Sequence, residues 1–266
     1  VSASSVAKGL SAELRFGART LAFAGYSVGT YLAYTANADP VGSDADEARM
    51  KKTMRRFGRH MMKLFGVSLV ARNLPPEGYV PSADARGLGR IFALNHRSGL
   101  DILVSLATLE GRQVSRGDLA KWPVIGLVAR RAGILFVDRE NRRSAAAVMQ
   151  AMIEQVKRGN GVVIFPEGTT YPGDEVRELK PGAFTVARRT GCEIVPVGLA
   201  YAGEGAAYLE NDTFVEHMRR VAGRPKTRVA MVIGAPLSAE GADSQELGVR
   251  ARAAIQELVH EARAML

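Results

Sequence analysis

The sequence predicts an α/β fold, a mixed and largely parallel sheet flanked by helices, preceded by a helical N-terminal segment. Three observations carry that reading. From residue 90 onward, short β-rich apolar runs alternate with stretches in which apolar residues return every three or four positions. Residues 20–38 carry no charge, and residues 47–65 interleave an apolar stripe with basic residues. At 266 residues and 47% hydrophobic composition the chain can bury one main core with length left for an appendage.

At about 1.5 Å per residue, a helix over 20–38 approaches the roughly 30 Å apolar thickness of a bilayer. Gly25, Ser27, Gly29, Thr30, Thr35 and Asn37 weaken it as a span, while Tyr26, Tyr31 and Tyr34 suit an interface. A helix lying in one leaflet is the equal alternative. Lys8, Arg15 and Arg19 before a stretch ending Ala36-Asn37-Ala38 also fit a secretory signal, although the apolar run is long for one.

After a polar break at 39–46, Met50, Met54, Phe57, Met61, Leu64 and Phe65 fall at helical spacing, with Lys51, Lys52, Arg55, Arg56, Arg59 and Lys63 between them. Ser43 can cap this helix and Gly66 can end it. Its stripe either packs on the main domain or, with a first helix over 10–36, forms a docking platform on anionic lipid. The division expected is a helical membrane-attachment segment over 1–72 and an α/β domain over 73–266. The net charge is +9, and up to Arg72 eleven Lys/Arg face five acids, so the first quarter holds most of the excess.

Strands are predicted at 91–94, 134–137, 162–165, 194–199 and 229–233, with helices over 98–109, 144–157, 182–189 and 246–264. Residues 203–208 and 238–244 are predicted as mobile loops. Cys192 is the only cysteine, which excludes an intrachain disulfide and a cysteine metal cluster and reads as packing in a reducing compartment.

In open α/β sheets, chemistry sits where strands end and helices begin. The first such junction is Asn95-His96-Arg97-Ser98-Gly99-Leu100-Asp101. A histidine there can take a proton from an attacking hydroxyl, and a carboxylate folded back from Asp101 would stabilise the resulting cation. Ser98 and Asp101 also fit a helix capping box, in which Asp101 serves backbone donors. At the second junction, Asp138-Arg139, the arginine either holds an anionic substrate group or pairs with Asp138 or Glu140. At the third, Pro166 and Gly168 bracket Glu167 at a strand end, as a structural turn or a backbone approach to ligand. The sequence contains no Gly-rich phosphate loop, zinc-type histidine pair or Gly-x-Ser-x-Gly elbow. His60, His217 and His260 read as surface or packing residues. Nucleic-acid binding is disfavoured, because the basic residues lie beside apolar helical stripes without a base-stacking surface.

Asn-His-x-Ser-x-x-Asp at 95–101, Gly-x-x-Phe-x-Asp-Arg at 133–139, Phe-Pro-Glu-Gly-Thr at 165–169 and Val-Pro-Val-Gly at 195–198 together resemble the glycerophospholipid acyltransferase family, closest to bacterial 1-acylglycerol-3-phosphate acyltransferases. The resemblance implies transfer of a fatty acyl chain from acyl-CoA or acyl-carrier protein to a lysophospholipid hydroxyl, with no metal or other cofactor. His96 would be the general base and Asp101 its orienting partner. Glu167, Gly168 and Thr169 would line the acceptor pocket, and Arg116 and Arg139 would contact anionic groups. It implies residence at the inner, cytoplasmic membrane with the catalytic domain on the cytoplasmic side. Phosphatidate-forming members often carry arginine after Glu-Gly-Thr, where this chain has Thr170. Lys180 or Arg177 could supply the phosphate contact instead. The Thr170 form with a following Gly-Asp also resembles lyso-ornithine-lipid acyltransferases.

Overall fold

The structure is a computed structural model and describes residues 3–36, 39–121, 123–138, 141–209 and 212–266. The N-terminal pair is α1 (Ala3–Thr35) and α2 (Asp44–Leu64). Among the described residues, no helix is long and apolar enough to cross a membrane. This removes the spanning reading of 20–38, whose small and polar residues dilute the apolar run; Asn37 and Ala38 lie outside the described residues.

Ser43 caps α2 as expected, accepting the Asp46 N–H at 3.2 Å. The α2 stripe packs inward: Phe57, Met61, Met62 and Phe65 join the core beneath the sheet. Lys52, Arg56, Arg59 and Lys63 stay exposed on the outer side. A sterically tight contact sets the distance from the next layer, since a Cβ on Gly58 would meet the Ala107 backbone at 2.6 Å.

The α/β part runs β1 (Val67–Arg72), β2 (Ile91–Leu94), α3 (Leu100–Thr108), β3 (Gly111–Arg116), α4 (Pro123–Arg131), β4 (Leu135–Val137), α5 (Arg142–Lys157), β5 (Gly161–Ile164), α6 (Gly182–Thr190), β6 (Ile194–Tyr201), α7 (Phe214–Gly223), β7 (Thr227–Ile233) and α8 (Ser244–Ala264). The sheet order is β1-β7-β6-β2-β5-β3-β4. Each neighbouring pair is parallel except β6 and β7, so the sheet is mixed and largely parallel, as predicted.

Burial on both faces explains the continuous apolar strands. Phe92 and Leu94 of β2 face the layer of α2, α3 and α7, while Ile91 and Ala93 face α5, α6 and α8. The strand pattern is therefore apolar on both sides, and the site forms at the carboxyl end of β2 in the middle of the sheet.

β1, β3, α4 and α7 have no counterpart among the predicted elements. β1 is an edge strand with no fully buried residue, and β3 is Gly-Arg-Gln-Val-Ser-Arg, whose polar residues break any apolar run. Both loops predicted as mobile are anchored at buried alanines, with Gly203, Ser238, Glu240 and Gly241 exposed. Ala206 is fully buried within a short 3-10 turn at Glu204–Ala206, and Ala239 and Ala242 are buried against α8's layer. Cys192 is buried, and burial pushes its thiol up to about 11, in keeping with packing.

Candidate active site

The polar turn after β2 brings His96 and Asp101 together. Asp101 Oδ2 lies 2.7 Å from His96 Nδ1 and also accepts the N–H groups of Arg97 at 2.7 Å and Ser98 at 2.8 Å. One oxygen thus orients His96 and serves backbone donors, while the reciprocal capping box does not form: Gly99 is the N-cap of α3 without a side-chain cap bond, and the Ser98 hydroxyl accepts the Leu100 N–H. The other oxygen, Oδ1, accepts the Tyr201 hydroxyl at 2.5 Å. Burial, reinforced by the Asp101 charge, raises the Tyr201 pKa well above its ordinary value, so it acts as a neutral donor.

Nδ1 of His96 must carry the proton to reach that carboxylate, which leaves the lone pair on Nε2. Among the described residues Nε2 has no hydrogen-bond partner, and the His96 side chain is 17% exposed while Asp101 is fully covered. Phe165 stacks on the imidazole at 4.2 Å between centroids and 21° between planes. The result is an oriented imidazole with one accessible basic nitrogen.

Glu167, from the turn after β5, holds the backbone of this turn. Its Oε1 accepts the His96 N–H at 2.8 Å and the Arg97 guanidinium at 3.0 Å, and its Oε2 accepts the Arg177 N–H at 3.0 Å. The Glu167 side chain is fully buried and that of Arg97 is 2% exposed, so the carboxylate expected to line an acceptor pocket faces protein donors. Arg97 also donates to the Glu175 carbonyl at 2.6 Å and the His96 carbonyl at 2.9 Å. The Tyr171 N–H closes the same region by donating to the His96 carbonyl at 3.1 Å.

Gly168 adopts φ +82°, and a Cβ there would meet Lys180 Cε at 2.6 Å. The Lys180 side chain thus lies across the Gly168 backbone, with its own N–H donating to the Pro166 carbonyl at 2.8 Å. Thr169 is exposed beside it. Arg116 ends β3 on the same side as the turn, close enough to act on Tyr208; burial and the Asp212 charge push that hydroxyl up to about 12, with Arg116 and Arg220 pulling the other way. Arg139 lies outside the described residues.

Asp174 is held by Arg263 through two bonds of 2.6 and 2.7 Å, which hold its carboxyl below the usual range. Its charge is already matched within the protein.

His60 and His260 are exposed, as read from sequence. His217 is not a surface residue and not mere packing: its side chain is fully buried, and Nε2 lies 3.0 Å from the Gly99 N and 3.1 Å from Ser98 Oγ. Burial and the nearby Arg220 charge lower its pKa to about 4, so the ring is neutral. Tyr201 and His217 come from β6 and α7, and sequence reasoning missed both. The pattern Val195, Val197, Leu199 gave a signal for Tyr201, because it falls on the same inward face.

With the geometry in place, the acyltransferase family model matches residues 76–200, which include the 95–101 turn, Glu167 and the β6 strand up to its penultimate residue. That match covers just under half of the chain. The chain is 28% identical over 180 residues to a lyso-ornithine lipid O-acyltransferase of Pseudomonas aeruginosa, covering 66% of this chain and 69% of the relative. It is 32% identical over 116 residues to a 1-acyl-sn-glycerol-3-phosphate acyltransferase of Neisseria gonorrhoeae, covering 44% of this chain and 46% of the relative. The chain therefore spans less than half the length of that second relative. It shares the fold of the 1-acyl-sn-glycerophosphate (LPA) acyltransferase PlsC from Thermotoga maritima, with a TM-score of 0.72, 20% identity and 96% of both chains covered.

Proposed function

We propose that this chain transfers a fatty acyl group from an acyl thioester, acyl-CoA or acyl-carrier protein, to the free hydroxyl of 1-acylglycerol-3-phosphate, giving phosphatidic acid. The observation that carries the reading is the His96 imidazole, oriented through Nδ1 by Asp101 and open at Nε2. The acceptor hydroxyl gives its proton to Nε2 as its oxygen forms a bond to the thioester carbonyl carbon. Asp101 stabilises the imidazolium formed. The tetrahedral intermediate collapses with loss of the thiolate, which takes the proton back from Nε2 and leaves as the thiol. Lys180 and Arg116 supply positive charge for the acceptor phosphate, a part that Thr170 cannot play.

A second acceptor, lyso-ornithine lipid, is favoured by Thr170 and by the Pseudomonas relative, the longer of the two matches. The reaction at His96 is the same in both cases.

The protein works at a membrane surface in this reading. Leu10, Leu14, Leu21, Val28 and Leu32 of α1 are all exposed. At 3.6 residues per turn they fall within about 40° of one another, in a stripe roughly 33 Å long. Exposed Lys52, Arg56, Arg59 and Lys63 of α2 add positive charge beside it. The inner membrane, approached from the cytoplasmic side, is the surface proposed.

The test is product identification by mass spectrometry with a panel of lysolipids and both donor types. Phosphatidic acid from the wild type, and none from His96→Ala, is the expected result. Acylation of lyso-ornithine lipid alone selects the second acceptor, and undiminished turnover by His96→Ala rules out the mechanism.

A further inference from the structure

Each backbone N–H from His96 to Asp101 has an acceptor. His96 N–H goes to Glu167, Arg97 and Ser98 N–H go to Asp101, Leu100 N–H goes to Ser98 Oγ at 3.2 Å, and Asp101 N–H goes to the Ser98 carbonyl at 3.1 Å. Gly99 caps α3, where the helix itself offers no acceptor for its N–H. That donor reaches across to His217 Nε2 on α7.

An amide N–H only donates, so Nε2 holds the lone pair and the ring proton sits on Nδ1, facing Asp212 Oδ2 at 3.9 Å. Arg220 Nη2 also lies within hydrogen-bond reach of Nδ1, at 3.3 Å, but its N–H groups make the shorter bonds to the Ala207 carbonyl at 2.8 Å and to Asp212 at 2.5 Å, as the Gly99 N–H does to Nε2 at 3.0 Å. Tyr208 stacks on the ring at 3.9 Å and 10°, and its N–H donates to the Arg97 carbonyl at 2.8 Å. The turn is thus gripped from one segment at two points.

The mount is also fixed. Arg15 donates to the Gly223 carbonyl at 2.7 Å and Arg19 to the Ala222 carbonyl at 2.8 Å, so α1 satisfies the last carbonyls of α7 and matches its dipole. On Gly99, a Cβ would meet Met218 Sδ at 3.0 Å, so α7 lies directly against the turn.

We propose that His217, outside the matched acyltransferase region, is a positioning residue that sets the His96 to Asp101 geometry by accepting the Gly99 N–H. Without that acceptor the N–H is orphaned at a buried helix start, and the turn relaxes to find another. Relaxation moves Ser98 and the first turn of α3, and with them the Asp101 oxygen that orients His96. A residue that only filled space would serve equally well without a nitrogen lone pair.

The proposal rests on the acyl-transfer reading for its activity test. His217→Phe keeps an aromatic ring against Tyr208 and removes the acceptor, while His217→Gln places an amide oxygen near the position of Nε2. His217→Phe is expected to lower kcat about tenfold to a hundredfold, from the orphaned donor, with KM for donor and acceptor within about twofold. His217→Gln is expected to restore at least about a third of the wild-type kcat, because it returns an acceptor. Wild-type kcat in His217→Phe, or a loss that Gln does not restore, overturns the proposal. A readout free of folding risk is nitrogen NMR of the histidine rings in the wild-type full chain. A His217 ring with Nδ1 protonated and Nε2 bare at pH 7 supports the proposal, and an Nε2–H ring overturns it. A wild type inactive toward every lysolipid would defeat the acyl-transfer reading, while the NMR result would still decide the role of His217.

Discussion

Asp101 Oδ2 sits 2.7 Å from His96 Nδ1 and, with the same oxygen, accepts two backbone N–H groups of the turn that carries His96. The carboxylate fixes the imidazole and the loop beneath it as one unit. Asp101→Asn would present an amide N–H or a neutral oxygen where an anion now faces three donors. The His96 tautomer is no longer enforced, and kcat is expected to fall on the order of a hundredfold to ten-thousandfold, as when a triad carboxylate is neutralised. Steady-state assays of the purified variant check this, and a loss below threefold would disconnect Asp101 from the chemistry.

Glu167 and Arg97 form a buried ion pair under the same turn. Glu167→Gln leaves the Arg97 charge buried without its counter-ion and is expected to cost about 3–5 kcal/mol of stability. Denaturant unfolding measures it. A variant with unchanged stability and only a raised acceptor KM would instead put the Glu167 carboxylate on the substrate.

The turn was legible in the sequence because its chemistry is local. His96, Asp101 and the backbone donors between them lie within seven residues, and a strand running into a polar turn marks the place. The sequence could not decide between partner and cap for Asp101, since nothing in the spacing reveals that one oxygen orients His96 and also holds the N–H groups of Arg97 and Ser98. Tyr201 and His217 were hidden for a different reason. Their contacts are made by sheet order and by the docking of α7, and neither is written in nearby residues. α7 itself had a local signal that went unread, the Thr213 and Glu216 capping box that starts it. β3 had none, because a strand with Arg112, Gln113, Ser115 and Arg116 shows no apolar run, yet it sets the place of Arg116.

Gly168 and Lys180 are coupled by space. Gly168→Ala places a Cβ 2.6 Å from Lys180 Cε at a φ of +82°, so the lysine must move and the backbone is strained. Both Gly168→Ala and Lys180→Met are expected to raise KM for 1-acylglycerol-3-phosphate about tenfold, the scale of a lost charge-assisted contact. The effect of Lys180→Met should shrink as salt is added, because screening already weakens the wild type. An unchanged KM in both variants would remove Lys180 from acceptor binding.

Leu14 and Leu21 lie on the exposed stripe of α1 and make little of the core. Leu14→Glu with Leu21→Glu is expected to lower partitioning onto anionic liposomes by more than about tenfold, given about 1.5–3 kcal/mol for each buried leucine. Thermal unfolding without lipid should stay within a few degrees. Flotation equal to wild type would show that another face meets the bilayer.

His217 gives the protein a stability slope of definite sign. Burial first, and the Arg220 charge second, lower its pKa to about 4 from an ordinary 6.5, so between those values the unfolded chain binds more protons than the folded one. Stability therefore rises with pH through this window; the contribution is complete above 6.5 and is lost as pH falls towards 4. Asp212, held down to about 2 by its bonds from Arg220, contributes only at lower pH, so the two do not overlap. In the wild type, unfolding free energy should fall as pH drops from 6.5 to 5. His217→Phe has no proton to take up, and its curve should be flatter over the same range. Parallel curves would mean that His217 titrates normally in the folded protein, and the buried neutral ring facing Gly99 would then be wrong.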